Sequence, residues 1–323
     1  MKAIQLHDYG FENLRYDEVP TPQAGPGEVL VRIAAASISP VDAGKAAGAL
    51  RHLPTPLPWI PGGDFAGTVA AVGAGVTGLA VGTEVYGTGP AAGNQPAYGG
   101  AFAQYIAVPA GTVAAKPKSL SFVEAAAVPI SALTAWQSLF RIGQLQAGQS
   151  VLIHGGAGGV GAYAIQLARL HGVHVIATAG AQDLEFVRAL GADEVLDYKS
   201  ATPFEALVHN VEVVLDTVGG EVQQRSYAVL KAGGHLIALN YPPAPEQAAK
   251  YGVNAVMFDL QASAENLAHF ATLLDAGTLK VDVARTYPLE QAAQALAAST
   301  QHGPTATGPK THGKIVLEVT QEQ

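Results

Sequence analysis

The stretch that most limits what this chain can become is residues 150–169, SVLIHGGAGGVGAYAIQLAR, where a short apolar run meets a knot of five glycines and then a helix-period segment. Val151, Leu152 and Ile153 suit a parallel strand buried on both faces, and Ala162, Ile165, Gln166, Leu167 and Ala168 continue as a helix. Between them Gly156, Gly158 and Gly161 stand in G-x-G-x-x-G spacing, with Gly159 and Val160 completing the turn. In such a motif the first glycine permits the tight turn, the second lets backbone approach a pyrophosphate, and the third lets the helix pack closely on the strand. The free N–H groups at the helix start would face the phosphates. Residues 150–169 therefore predict a strand, a turn and a helix that bind a dinucleotide.

With 323 residues there is room for two domains, each with its own core. A composition of 49% hydrophobic and 14% charged residues describes a globular protein. The formal charge of -8 and the lack of any basic run argue against a nucleic-acid or anionic-membrane partner, which would need clustered Lys and Arg. There is no cysteine, which removes disulfides, thiolate nucleophiles and Cys-based zinc sites together. The opening MKAIQLHDYGFENLRY has no uninterrupted apolar segment, so neither a signal peptide nor a membrane span is expected, and a cytoplasmic setting is the default.

Residues 1–109 alternate short β-branched runs (3–6, 28–34, 67–72, 84–87 and 102–108) with Pro and Gly clusters, which predicts a mostly antiparallel β domain. The Pro-rich segment 51–63 reads as a stiff surface loop, and 89–100 as a second, mobile loop. Ser121 stands three residues before Glu124, as in a capping box. From residue 150 strands (173–178, 194–197, 211–216, 235–240) alternate with helices (184–190, 204–208, 222–230), the pattern of a parallel sheet with helices on both faces. A helix over 264–276, a strand over 281–286 and a helix over 289–298 precede a final strand, 314–319, expected to rejoin the N-terminal β domain. Residues 302–312 read as a polar inserted loop.

Six segments together resemble the medium-chain dehydrogenase/reductase superfamily, and within it the zinc-free, zeta-crystallin-like quinone oxidoreductases. They are GPGEVLV (25–31), PGGDFAG (61–67), AAVPISALTAW (126–136), HGGAGGVGAYAIQLA (154–168), LGADEVLDY (190–198) and GKIVL (313–317). The resemblance implies an α/β fold: a GroES-like β-barrel catalytic domain (1–124 and 260–323) interrupted by a Rossmann doubly wound parallel-sheet domain (125–259), usually as a homodimer. Zinc-dependent relatives carry a Cys in the region matching Ser39 and a His-Glu pair matching Gly63 and Asp64; neither thiolate nor imidazole stands there in this chain, so no metal is expected. Zinc-free relatives often carry an Asn where this chain has Ser39, and some a Tyr near residues 45–48; both are missing here.

A zinc alcohol dehydrogenase relies on a Lewis acid to polarise its alcohol oxygen. Hydride addition to a quinone, or to the β-carbon of an enone, is less demanding, because the acceptor is already electrophilic and the protein chiefly positions the two reactants. The expected activity is thus an NADPH-dependent, metal-free reduction of a small quinone or enone. An NADPH-binding structural protein of the crystallin kind and an enoyl-thioester reductase are the alternatives. The resemblance points to Ser39, Asp42, Asp64 and Tyr98 for the catalytic cleft, and to Thr134, Asn240 and Lys314, beside the glycine turn, for cofactor binding. Asp42 could equally cap a helix, and Asp64 anchor a loop. The strand over 174–178 ends in Ala177, Thr178, Ala179 and Gly180 without a carboxylate, which favours NADPH, with Thr178, Arg188, Tyr198 and Lys199 as partners for its 2′-phosphate; Asp183 close by weighs the other way.

Overall fold

The computed structural model describes residues 1–51, 55–89, 99–300 and 312–320; Tyr98, most of the expected loop over 89–100 and nearly all of that over 302–312 lie outside them. The chain divides into two compact units, Met1–Ile130 with Ala262–Gln323, and Ser131–Gln261.

The first unit opens with a two-stranded ribbon, β1 (Lys2–Leu6) and β2 (Leu14–Glu18). Next come β3 (Glu28–Ser37), α1 (Pro40–Ala46), β4 (Asp64–Val72), β5 (Glu84–Thr88), β6 (Tyr105–Pro109), β7 (Val113–Ala115) and α2 (Phe122–Ala126). β3 buries Val29, Val31 and Ile33 in alternation, as a strand with one face on a core must, and they join Phe65, Val85, Phe102 and Ile106 there. The capping box read at Ser121 and Glu124 is present at the head of α2. The Pro-rich segment is less loop-like than expected, since Trp59 pairs with Leu6 through two backbone hydrogen bonds.

α3 (Pro129–Trp136) leads into the second unit and runs on into a π-helical stretch, Gln137–Ile142. There follow β8 (Ser150–His154), α4 (Gly159–Leu170), β9 (His174–Ala179), α5 (Leu184–Ala189), β10 (Glu194–Asp197), β11 (Val211–Asp216), α6 (Glu221–Ser226), β12 (Leu230–Ala238), α7 (Pro245–Tyr251) and β13 (Asn254–Met257). The six strands are all parallel, in the order β10-β9-β8-β11-β12-β13, the doubly wound arrangement whose order reverses between β8 and β11. Two expected helices are shorter than read. Residues 204–208 form a single 3-10 turn over Phe204–Ala206, and the helix over 222–230 is α-helical only to Ser226, tightening into a 3-10 turn over Tyr227–Val229 before Leu230 starts β12. Gly233 and Gly234, ahead of the expected strand over 235–240, lie within β12 where its register against β11 shifts.

The chain returns to the first unit through α8 (Ala264–Asp275), β14 (Val283–Pro288), α9 (Ala292–Thr300) and β15 (Lys314–Glu318). β15 pairs antiparallel with β3 and parallel with β14, so the last strand does rejoin the N-terminal β domain and completes a seven-stranded sheet. Among the described residues no helix is long and apolar enough to cross a membrane.

Candidate active site

In the second unit the glycine turn leaves β8 at His154. Gly155 carries the left-handed conformation (φ +74°), so the tight bend falls one residue before the first glycine of the motif. Gly156 donates its N–H to Thr178 O (2.9 Å), tying the turn to β9. A Cβ at Gly161 would lie 2.2 Å from Gly155 O, so the start of α4 can approach the turn only as glycine; at Gly158 the same contact would be 3.3 Å, which the fold nearly tolerates. Gly158 is the N-cap, and the N–H groups of Gly159, Val160 and Gly161 at the head of α4 find no acceptor among the described residues. Three amides at a helix N-terminus form an anion site suited to a pyrophosphate.

The imidazole of His154 is buried and locks this turn from beneath. Ser226 Oγ gives its only hydrogen to Val222 O (2.7 Å), so it accepts from His154 Nε2 (2.9 Å). His154 Nδ1 is therefore the unprotonated nitrogen and accepts from Thr178 Oγ1 (3.2 Å), which itself accepts from Gly155 N–H (3.3 Å). Burial, helped by the Arg225 charge, pushes the His154 pKa down to about 3, so the ring is neutral throughout the physiological range. The hydroxyl hydrogen of Thr178 is thus committed inside the protein. Of the residues read as 2′-phosphate partners, Arg188, Tyr198 and Lys199 remain at the surface, with Lys199 Nζ 5.8 Å from the Tyr198 ring centroid. Folding also brings a carboxylate to the end of β9: Asp183 Oδ2 and the Tyr198 hydroxyl each lie 3.4 Å from where a Cβ of Gly180 would stand. Asn240 donates to Thr217 O (2.7 Å), holding together the loops after β11 and β12, and Thr134 is buried in α3.

In the first unit the candidate carboxylates are both fully engaged. Ser39 is the N-cap of α1 and forms a capping box with Asp42. Asp42 Oδ2 accepts from Ser39 N (2.9 Å) and Ser39 Oγ (2.7 Å), and Oδ1 accepts from Gly62 N (2.9 Å), fastening the helix to the turn before β4. Asp64, wholly buried, accepts from Ile130 N (2.8 Å) and Ser37 Oγ (3.1 Å), with Lys314 Nζ 3.7 Å away. Burial raises its pKa to about 6 against the opposing pull of Lys314, Ile130 N–H and Ser37. Lys314, assigned to the cofactor in the sequence, thus faces a protein carboxylate.

Zinc is the metal that this fold implies, and the residues do not fit it. The positions matching its ligands hold a capping serine, a glycine and a carboxylate with three partners, and no group of three or more His, Asp or Glu among the described residues could hold a metal ion. A nicotinamide dinucleotide does fit, at the open amides of α4. His171, at the end of α4, bonds Leu167 O, and His174, on β9, faces Asp193 and Glu194, so the pair forms no ligand set.

A β domain interrupted by a doubly wound dinucleotide unit is the architecture of the medium-chain dehydrogenase/reductases. Residues 25–118 match the alcohol dehydrogenase GroES-like domain family, and residues 190–317 the family described as zinc-binding dehydrogenase. A chloroplast envelope quinone oxidoreductase homolog of Arabidopsis thaliana is 32% identical, covering 98% of both chains. An NADPH-dependent alkenal/one oxidoreductase of the same plant is 38% identical over 74% of this chain, a match that spans only 62% of that relative's length. The solved quinone oxidoreductase from Coxiella burnetii has a TM-score of 0.87 at 31% identity over 99% of both chains. The chain belongs to the quinone oxidoreductase branch of the medium-chain dehydrogenase/reductase superfamily.

Proposed function

We propose that this chain is an NADPH-dependent reductase that delivers hydride to a quinone or to the β-carbon of an enone without a metal. One observation carries the reading: the positions where relatives bind catalytic zinc are spent on the fold, while the amides of Gly159, Val160 and Gly161 stay open to a pyrophosphate. A bound nicotinamide supplies the hydride. The chain's own part is to hold the phosphates on α4, fix the turn through His154 and Thr178, and set the acceptor in place. Tyr198, Lys199 and Arg188 support the preference for NADPH, and Asp183 opposes it, so that residue sets how strong the preference is. A second copy of the chain is the proposed partner: β13 is an edge strand with Val256 and Met257 exposed, an open ladder that its twin can extend. The cytoplasm, where reduced nicotinamide is regenerated, is the proposed setting. NADPH oxidation by the purified protein across quinones, enones and enoyl thioesters, with and without a chelator, tests the reading. Turnover of quinones or enones that survives chelation is expected; turnover confined to enoyl thioesters, or lost with zinc on chelation, would refute it.

A further inference from the structure

Among the described residues three buried side-chain atoms have no hydrogen-bond partner, Ser138 Oγ, Asp216 Oδ2 and Tyr227 OH, and all three belong to the dinucleotide unit. Such atoms are rare in folded proteins, because each costs what it lost in leaving water. Two of them are neighbours. Asp216 and Tyr227 are both 0% exposed. Asp216 ends β11 and shares the sheet face of Val214, two residues before it; that face carries the core in which Tyr227 packs with Leu152, Leu236 and Ala238. Burial raises the pKa of the Tyr227 hydroxyl, and so do the nearby charges of Glu246 and Asp216, while Ala244 N–H beside it pulls the other way. That N–H is not in hydrogen-bond geometry with the hydroxyl, and no backbone carbonyl among the described residues accepts from it. The other oxygen of Asp216, Oδ1, is spent on the turn that follows, accepting from Val218 N (2.9 Å) and Gly219 N (2.8 Å).

A carboxylate oxygen that only accepts, a hydroxyl that can do both and an N–H that only donates are together the complement of one water molecule. Water buried inside a protein makes about three hydrogen bonds, to groups the fold leaves open. We propose that Asp216 Oδ2, Tyr227 OH and Ala244 N–H form the binding site of a single buried water, which ties the loop after β11 to the loop after β12. The water donates one hydrogen to Asp216 Oδ2 and accepts from Tyr227 O–H and Ala244 N–H. A metal ion is disfavoured there by the N–H of Ala244, and an anion by the charge of Asp216, which leaves a neutral donor-acceptor as the ligand. The same two loops also meet directly. Asn240 Nδ2 donates to Thr217 O (2.7 Å), and Gln223 Nε2, from α6 after the first loop, to Tyr241 O (2.9 Å). Thr217 Oγ1 in turn donates to His154 O (2.7 Å) at the end of β8, so the loop that the water holds is the one braced against the glycine turn. A doubly wound sheet takes its ligand outside the carboxyl ends of its strands, where their order reverses, here between β8 and β11. The buried water thus belongs to the frame of the dinucleotide site.

A crystal structure of the full chain, at a resolution that shows ordered solvent, reads the site directly. One water within about 3.2 Å of both Asp216 Oδ2 and Tyr227 OH is expected. Amide hydrogen exchange gives a second, independent reading through two variants. Tyr227→Phe keeps the ring and removes only the hydroxyl, and Ser138→Ala removes the other orphan hydroxyl as a control. In Tyr227→Phe, exchange at Val218, Gly219 and Ala244 should quicken on the order of fivefold, the worth of about one net hydrogen bond, while the amides of β8 and α4 keep their rates. Ser138→Ala should leave Val218, Gly219 and Ala244 as they are in wild type. A gap without water, or Tyr227 OH bonded directly to Asp216 Oδ2, overturns the proposal. So does exchange in Tyr227→Phe that is no faster at those three amides than in Ser138→Ala, or that rises evenly over the whole unit.

Discussion

Asp64 and Lys314 form a buried pair in which the two partners should respond to removal in opposite directions. The carboxyl is wholly buried, and desolvation outweighs the combined attraction of Lys314, the Ile130 N–H and Ser37, leaving its pKa near 6 instead of 3.8. At about 1.4 kcal/mol for each tenfold change, ionised Asp64 costs the fold about 3 kcal/mol relative to water. Because the folded-state pKa is the higher one, the stability contributed by this group is fully present below about pH 4 and is lost as pH rises through about 6. Asp64→Asn resembles the protonated form. Its carbonyl can still accept from Ile130 N–H, and the Ser37 hydroxyl can turn to accept from Nδ2. At pH 8 this variant should be at least as stable as wild type, gaining up to about 3 kcal/mol, and its stability should no longer change between about pH 4 and 7 on this account. Lys314→Met should do the reverse, leaving the carboxylate uncompensated at a cost of about 3–5 kcal/mol at pH 8 that shrinks as pH falls towards 6, because without the pull of Lys314 the carboxyl takes its proton above pH 6. The two tryptophans, Trp59 and Trp136, fall in different units, so urea unfolding followed by Trp59 fluorescence in a Trp136→Phe background reports on the unit that holds the pair. An Asp64→Asn variant that loses about 2 kcal/mol or more at pH 8, or a Lys314→Met penalty that does not change with pH, would refute the reasoning.

In the glycine turn, Gly158→Ala should fold normally and weaken NADPH binding, whereas Gly161→Ala, with its Cβ 2.2 Å from Gly155 O, should lower the melting temperature as well; calorimetry and cofactor fluorescence separate the two. Arg188→Ala and Lys199→Ala should each weaken NADPH and spare NADH, and Asp183→Asn should shift the ratio of dissociation constants further towards NADPH; equal effects on both cofactors would remove these residues from the 2′ site. Met257→Lys, on the exposed edge of β13, should yield a monomer by light scattering, with its fold intact. Ser39→Ala removes the N-cap of α1 and should cost about 1 kcal/mol of stability, with turnover reduced tenfold or less on the order expected for a group that is not a positioned acid.

The segments legible in the sequence are those whose signal is local. The strand, turn and helix from β8 to α4 follow from adjacent residues, and β10 and β11 coincide with their apolar runs. β2 and β13 escaped because their pattern is not an alternation: LRYDE is charged at an edge, and NAVM is a four-residue run on the rim of a sheet. Site chemistry was harder still. A serine before a proline, or an aspartate after a pair of glycines, reads the same whether its lone pairs face a substrate or are already filled, and only tertiary contacts decide. Ser39 and Asp42 fill each other, Asp64 is filled by residues from β3, α3 and β15, and the hydroxyl of Thr178 is turned inward by a histidine that sequence reading treated as part of a motif. Lys45 is the converse. In the sequence it only opens the stretch 45–48, near which some relatives have a tyrosine, and nothing near it says that it is buried. Its burial arises from the Trp59 ring and from α1 packing against α9, which comes from the far end of the chain. Ser39, Asp42 and Asp64, chosen from the sequence as catalytic, thus prove to be filled from within the protein, because a polar side chain that folding buries is nearly always given a partner by the same folding, and a partner from the far end of the chain leaves no mark beside it in the sequence.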